Sequence, residues 1–191
     1  MSVKWMACVV VLCSTPVFAQ SNATPFALDR TSFAPAHAYV AADAIPKQLS
    51  LPANLIVSSH YRALVEHMLR GSPAFRRQCL RISGEPRLTV KLRMGGPQWK
   101  QGFRATTHIE RERDGRMTAF IEVFPLNEDV ELISHEIEHV IEQLDEVDLA
   151  SHAARRDTGV RVHAGNVFET VRANRTGLKV RDEVRAFTER R

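Results

Sequence analysis

Two histidines and a glutamate give this chain its most chemically specific pattern, the string His135-Glu136-Ile137-Glu138-His139. Residues four apart on a helix lie on one face about one turn apart, so both imidazoles can reach one metal ion. Glu136 directly follows the first histidine, where its carboxylate can take a proton from metal-bound water. These residue types at this spacing therefore predict a metal-dependent hydrolytic site.

The stretch from Val130 to Leu144 has to be a helix for this pattern to work, and its apolar residues indicate one. They recur at steps of three and four and build a single stripe: Val130, Ile133, Ile137, Val140, Ile141 and Leu144. His135, His139 and Glu142 fall on a different stripe. We therefore expect one side of the helix in a core and a polar side facing a cleft. The competing interpretation is a solvated helix face, since such histidine pairs also occur without a metal.

The same string resembles the active-site motif of the zincin metallopeptidases. The order of the predicted elements is similar to that of a minimal zincin domain, and the residues around the motif resemble those of small exported bacterial proteins. The resemblance implies that His135 and His139 bind Zn²⁺ and that Glu136 is the general base. Glu138 departs from the family pattern, which keeps this position uncharged. We expect Glu138 either to make the site more negative or to point to solvent.

A catalytic zinc has three protein ligands and an open fourth position, so one ligand must come from outside the motif. Glu169 is the first candidate, because the gluzincin group, which this chain resembles, takes its third ligand as a glutamate from a later helix. Glu169 lies near the start of a helix that is predicted to begin at Val167. The alternative is a capping box, because Asn166 and Glu169 are three residues apart.

Asp145 is the second candidate for the third ligand. The segment from His135 to Asp145 resembles the longer metzincin string, but that string has a glycine where Glu142 stands, so that the chain can turn back. With Glu142 the helix should continue and rotate Asp145 away from the histidines. We expect Glu142 to act instead as a hydrogen-bond partner of His139.

Two histidines downstream of the motif, His152 and His163, are further candidate ligands. His163 is also a candidate catalytic residue, because its ring could donate a hydrogen bond to the oxyanion that develops on a scissile carbonyl. A nearby arginine could do the same.

The first 19 residues predict a secretory signal peptide. Lys4 gives the positive start, the apolar run from Trp5 to Leu12 is too short to span a bilayer, and Val17-Phe18-Ala19 fits cleavage after Ala19. The alternative is an uncleaved membrane anchor. We divide the chain into a signal peptide (1–19), an extended leader (20–55) and a zincin-like domain (56–191), and expect a periplasmic or secreted protein.

Composition narrows the class of function. The 191 residues carry a formal net charge of +4, a mild excess that is spread along the chain and lacks the interleaved aromatics of a nucleic-acid surface. Cys79 is the single cysteine that remains after cleavage, so the mature chain can form neither an internal disulfide nor a cysteine-based zinc site. We expect Cys79 to be a buried structural thiol.

Periodicity elsewhere predicts an α+β fold with a small antiparallel or mixed sheet flanked by helices. The expected elements are a helix over 60–70, a second helix starting at Ser72-Pro73, a strand over 88–94, a hairpin of 104–112 and 116–124 around Asp114-Gly115, and a last helix from Val167 that is broken near Thr176-Gly177. The motif helix follows directly after the hairpin.

Together these patterns predict an exported zinc peptidase that acts on a peptide or protein, with no nucleic-acid partner and no membrane anchor after cleavage. The strand that ends at Phe124 is expected to offer an edge to which an extended peptide adds as another strand. One alternative is a non-catalytic envelope protein with a zincin fold and a structural or degenerate metal site. The other is a metal carrier that releases zinc readily.

Overall fold

The structure of the chain, a computed structural model, describes residues 50–96, 104–125, 129–162 and 167–190. Within these ranges it is an α+β fold with a four-stranded mixed sheet, a two-stranded hairpin and five helices. In chain order the elements are β1 (Leu55–Val57), α1 (Ser59–Gly71), α2 (Pro73–Ser83), β2 (Leu88–Met94), β3 (Ala105–Arg111), β4 (Met117–Val123), α3 (Asp129–Leu144), α4 (Leu149–Ala153), β5 (Val160–Val162), β6 (Phe168–Thr170) and α5 (Val171–Glu189). The predicted signal peptide, residues 20–49 of the predicted leader and His163 lie outside the described residues.

The strands of the larger sheet lie in the order β1-β2-β4-β3. Strands β1, β2 and β4 are parallel, and β3 is antiparallel to β4 because the two form the predicted hairpin. Gly115 in the turn of this hairpin has φ of +83°, in the left-handed region that glycine favours. The prediction that the strand ending at Phe124 is an edge is wrong. The hairpin docks on β2 through β4, so β3 is the outer strand among those described.

The second helix begins where the sequence predicts. Ser72 accepts a 3.0 Å hydrogen bond from the amide of Phe75, and Pro73 opens α2. Cys79 is buried on the inner face of α2, and this burial raises the pKa of its thiol from 9.0 to about 12. The expectation of a buried structural thiol is therefore confirmed.

One face of the larger sheet carries the core. In β2 the side chains of Leu88, Val90 and Leu92 are buried and alternate with more exposed residues, as the period-two pattern predicts. This face packs against α1 and α3, and Tyr61 of α1 donates a 2.9 Å hydrogen bond to the carbonyl of Val123 at the end of β4. The core therefore packs the motif helix α3 against one face of the sheet. No helix among the described residues has the length and apolarity that a membrane span requires.

The last part of the chain differs from the prediction of a broken helix that begins at Val167. Strand β6 comes first, and α5 then continues without a break from Val171 to Glu189. Gly177 lies inside α5 because α5 crosses α3 closely at this point. A Cβ atom on Gly177 would lie 2.9 Å from the Glu131 carbonyl oxygen and 3.3 Å from the His135 Cβ. This glycine therefore serves the contact between two helices and does not end one of them.

Candidate metal centre

The helix α3 brings the two motif histidines together as the spacing predicts. The Nε2 atoms of His135 and His139 lie 3.0 Å apart, and the two rings meet edge to face. Both residues are buried, with exposed fractions of 2% and 0%. A pair of imidazoles on a solvated helix face is therefore excluded.

Glu169 approaches the histidines from a separate element. It lies in β6, and its Oε1 atom is 3.4 Å from the Nε2 atom of His135. It does not cap α5, because Thr170 takes that place and accepts a 3.0 Å hydrogen bond from the amide of Ala173. The ligand atoms of His135, His139 and Glu169 all lie within 4.8 Å of one another, so this group could hold a metal ion.

The donor set of this group is compatible with a metal ion such as zinc. Two imidazole nitrogens and a carboxylate oxygen are a common ligand set of catalytic zinc. Zinc bonds of about 2.0–2.1 Å in tetrahedral geometry place the ligand atoms roughly 3.3 Å apart. In the structure 3.0 Å separates the two Nε2 atoms and 3.4 Å separates His135 Nε2 from Glu169 Oε1, while all three ligand atoms lie within 4.8 Å of one another. A cation could thus be accommodated with small shifts of these side chains.

A hydrogen-bond chain fixes the ring of His139. Its Nδ1 atom is 2.8 Å from Glu142 Oε2, and the hydroxyl of Thr170 donates a 2.6 Å hydrogen bond to Glu142 Oε1. Because a carboxylate only accepts, Nδ1 carries the proton and the lone pair of Nε2 faces His135. The expectation that Glu142 partners His139 is confirmed. The contribution of Thr170, which lies next to Glu169 in sequence, was not predicted.

Glu136 is fully buried beside this group. The hydroxyl of Thr107 in β3 donates a 2.6 Å hydrogen bond to Glu136 Oε2. The other carboxylate oxygen, Oε1, is buried and has no hydrogen-bond partner among the described residues. Burial raises the pKa of Glu136, although the charges of both histidines and the bond from Thr107 oppose the rise. A buried acceptor without a donor beside two imidazoles suits a site that takes up a polar ligand.

The carboxylates around His135 raise its pKa by more than burial lowers it. Burial alone lowers the pKa of His135, but the hydrogen bond to Glu169 and the nearby negative charges, Glu136 first among them, raise it above the usual value. The protonated ring is thus more favoured here than in an ordinary histidine. Since a metal needs the unprotonated ring, protons and metal compete for this histidine.

The polar side of α3 is covered where the sequence predicted a cleft. Every residue of α3 from Leu132 to Glu142 is buried. Helix α5 lies along this side, with Gly177 against His135 and with Arg181 bonded to Glu131 at 2.7 Å. Of the three candidate ligands, Glu169 is the most exposed, with 12% of its side chain accessible. Solvent therefore meets the group mainly on the β6 side.

Glu138 neither points to solvent nor stands as an uncompensated charge. Its side chain is 8% exposed, and Arg172 donates a 2.6 Å hydrogen bond to Oε1. Gln78 of α2 donates a 2.8 Å hydrogen bond to Oε2. The expectation that Glu138 points to solvent is therefore wrong, and its charge is compensated within α3, α2 and α5.

The remaining candidates lie elsewhere or outside the described residues. Helix α3 continues through Glu142, and Asp145 pairs with Arg172 at 2.8 Å and with Arg81 at 3.4 Å, apart from the histidines. His152 lies in the short helix α4 and does not belong to the group of candidate ligands. His163 lies outside the described residues, so its predicted role stays a prediction.

Comparison of the chain with protein-family profiles, with curated proteins and with solved structures finds no match. The zincin resemblance therefore rests on the motif and on the geometry of the site. That geometry is a buried His-His-Glu group that could hold a metal ion, with an acidic residue beside it.

Proposed function

We propose that this protein is an exported zinc-dependent peptidase. In this proposal His135, His139 and Glu169 hold the metal and Glu136 is the general base. The observation that carries it is the free oxygen of Glu136, which is buried and has no hydrogen-bond partner among the described residues. When bound, zinc supplies a water of lowered pKa, near about 7, and a Lewis acid for the scissile carbonyl.

The residues around Glu136 hold its carboxylate in a single orientation, which suits a general base. Thr107 holds Oε2, so Oε1 remains to accept a proton from the attacking water and to pass it to the leaving amine. Burial raises the pKa of Glu136, and a higher pKa makes its carboxylate a stronger base. General acid–base groups of this kind contribute roughly 10²–10⁴-fold to a rate.

The outer strand β3 favours a peptide as the substrate. Hydrogen bonds from Phe124 to Arg104 and from Glu112 to Arg116 indicate that the even-numbered residues of β3 bond to β4. Thr107 is odd-numbered, so its backbone amide and carbonyl point to the outer edge while its side chain reaches the proposed base. Because Thr107 is fully buried, a peptide would have to displace what covers this edge before it could pair with β3, and it would then run past Glu136.

Metal content and hydrolysis together test the proposal. The purified protein should bind one zinc per chain and cleave unfolded casein or a mixed peptide library. Glu136→Gln should keep the zinc and lose at least about 100-fold in rate. His139→Ala should lose both. A wild-type protein without zinc, or a Glu136→Gln variant with full activity, would contradict the proposal.

A structural metal site is the second candidate, and the burial of the histidines favours it. Ligands with 2% and 0% exposure resemble a closed site that holds elements together more than one that admits substrate. In that case zinc should raise the melting temperature, no peptide should be cleaved and Glu136→Gln should change nothing. A metal carrier would instead give up zinc quickly to a weak chelator.

Export is proposed from the predicted signal peptide alone. Expression with the native N-terminus in a Gram-negative host should yield a periplasmic or secreted chain that begins at Gln20. N-terminal sequencing reads this directly, and a chain that retains Met1 in the membrane fraction would argue for an uncleaved anchor.

A further inference from the structure

Glu138 is a charged residue inside the metal motif, and within the described part of the chain it hydrogen-bonds to none of the candidate ligands. Its carboxylate is nearly buried, and such a charge is costly unless it is paired and hydrogen-bonded. Here it receives Arg172 Nε at 2.6 Å and Gln78 Nε2 at 2.8 Å. Glu138 is therefore a fixed anchor on α3.

The cation that meets this anchor lies close to the third candidate ligand. Arg172 is the second residue of α5 and comes three residues after Glu169. It bonds Glu138 within α3 at 2.6 Å and Asp145, the residue after α3 ends, at 2.8 Å, so its guanidinium holds α3 at two points near its C-terminal end. This pair fixes the first turn of α5 against the helix that carries the histidines.

The ion pair between Arg172 and Glu138 affects the metal site because Glu169 lies in β6 and not in α3. The two histidines share one helix, so their separation is set locally, whereas the approach of Glu169 depends on how the β6–α5 junction sits on α3. Thr170 supplies one link of that junction through Glu142. Arg172 supplies a second through Glu138. The affinity of a metal site depends on how firmly the surrounding elements hold its ligands in place.

We propose that Glu138 is a positioning residue for Glu169: through Arg172 it holds the third ligand at the distance from His135 and His139 that a metal requires. This inference rests on the metal site of the proposed function. It explains why a charged residue occupies a motif position that zincins keep uncharged.

Zinc affinity, measured by competition with a chromophoric chelator at constant pH, tests the inference without any substrate. Glu138→Gln should weaken zinc binding by about 10-fold, the lower end of the cost of losing a direct partner of a ligand, because Glu138 acts on Glu169 only through Arg172. Arg172→Ala removes the same pair from the more exposed side and should weaken binding to a similar degree. If Glu138→Gln does not fold, the Arg172→Ala variant provides the test.

A double-mutant cycle separates positioning from general loosening. In a Glu169→Ala background the third ligand is already absent, so Glu138→Gln should change zinc affinity less than about 2-fold. The absorption of the cobalt-substituted protein gives a second readout. Glu138→Gln should shift the d–d bands toward those of Glu169→Ala, which an effect on stability alone would not do.

Glu183→Gln is the matched control. Glu183 also ties α5 to a neighbouring helix, accepting 2.6 Å and 2.9 Å hydrogen bonds from Ser72 and Ala74, but it lies near the far end of α5. It should lower the melting temperature and leave zinc affinity unchanged. Unchanged affinity in both Glu138→Gln and Arg172→Ala, or an equal loss with and without Glu169, would overturn the inference. A wild-type protein that binds no zinc would instead overturn the proposed function.

Discussion

Thr107 on the outer strand β3 donates a 2.6 Å hydrogen bond to Glu136 on the motif helix α3. Both residues are fully buried, so water does not compete for this bond. The contact ties the strand that would receive a peptide to the residue that would act on it. It also decides which of the two carboxylate oxygens stays free.

Replacing Thr107 by valine should impair catalysis and spare metal binding. The change keeps the shape of the side chain but removes the donor, so Glu136 is no longer held in one orientation. We expect the rate of peptide hydrolysis to fall about 10-fold or more, with zinc affinity within about 2-fold of the wild type. Steady-state kinetics and chelator competition measure the two quantities.

Thr106→Val is the control for Thr107→Val, because Thr106 is the neighbouring residue on the other face of β3. It should leave both quantities unchanged. Equal loss of activity in the two variants would mean that the strand, and not the bond to Glu136, is responsible.

Replacing Thr170 by valine should weaken both the fold and the metal site. Thr170 caps α5 and also donates to Glu142, the partner of His139. Loss of a threonine cap costs about 1–2 kcal/mol, and loss of an outer-shell partner costs about 10-fold or more in metal affinity. Urea unfolding and zinc titration measure these effects. Thr176→Val, within α5, should affect neither, and a Thr170→Val variant of normal zinc affinity would contradict the relay through Glu142.

Replacing Gly177 by alanine should destabilise the protein although alanine is the better helix former. The new Cβ atom would meet the carbonyl oxygen of Glu131 at 2.9 Å, and this backbone atom cannot move aside. The overpacking should cost about 1–3 kcal/mol, more than the roughly 1 kcal/mol gained in helix propensity. Thermal unfolding measures the difference.

Gly84→Ala is the matched control for Gly177→Ala, since a Cβ atom on Gly84 meets its nearest neighbours at 3.6 Å and φ there is −72°. It should be neutral or slightly stabilising. If Gly177→Ala proves as stable as Gly84→Ala, α5 does not press on α3 as closely as the structure indicates.

Stability should fall at alkaline pH because of Cys79. Its pKa is raised from 9.0 to about 12 by burial, so between these values the folded state keeps a proton that the unfolded state has lost. The free energy of unfolding is thus unaffected below pH 9 and decreases as pH rises toward 12, by at most about 4 kcal/mol.

Urea unfolding at several pH values checks the effect of Cys79, with Cys79→Ala as the comparison. The variant should show a shallower alkaline decline, with the part due to Tyr61, whose pKa burial and Asp129 raise to about 12, still present. A thiol reagent at neutral pH should modify Cys79 only after unfolding. Rapid modification of the folded protein would show that the thiol is accessible.

The sequence predicts those parts of the site that depend on residues close together along the chain. The positions of His135, Glu136 and His139 on one helix followed from their spacing, and so did the contact between Glu142 and His139. The hairpin at Asp114-Gly115 was predicted from its turn residues. Each of these depends on backbone geometry over a few residues, which repeats in any helix or tight turn.

The contacts between residues of different helices and strands could not be predicted in this way. Glu169 was expected in the first turn of a helix but lies in a strand, and the partner that neutralises Glu138 is Arg172 in a distant part of the chain. The period-two pattern placed Thr107 in a strand without indicating that its side chain would meet Glu136. The edge of the sheet was assigned to the wrong strand of the hairpin.

The sequence by itself determined the chemical groups and their local order: an imidazole pair, a neighbouring carboxylate and the helix that aligns them. Only the tertiary structure decided that Glu169 reaches this pair, that β3 is the outer strand and that α5 closes over the polar side of α3. The reason is physical. Hydrogen bonds between near neighbours fix local geometry, whereas the packing of distant elements depends on the contacts of the whole core at once.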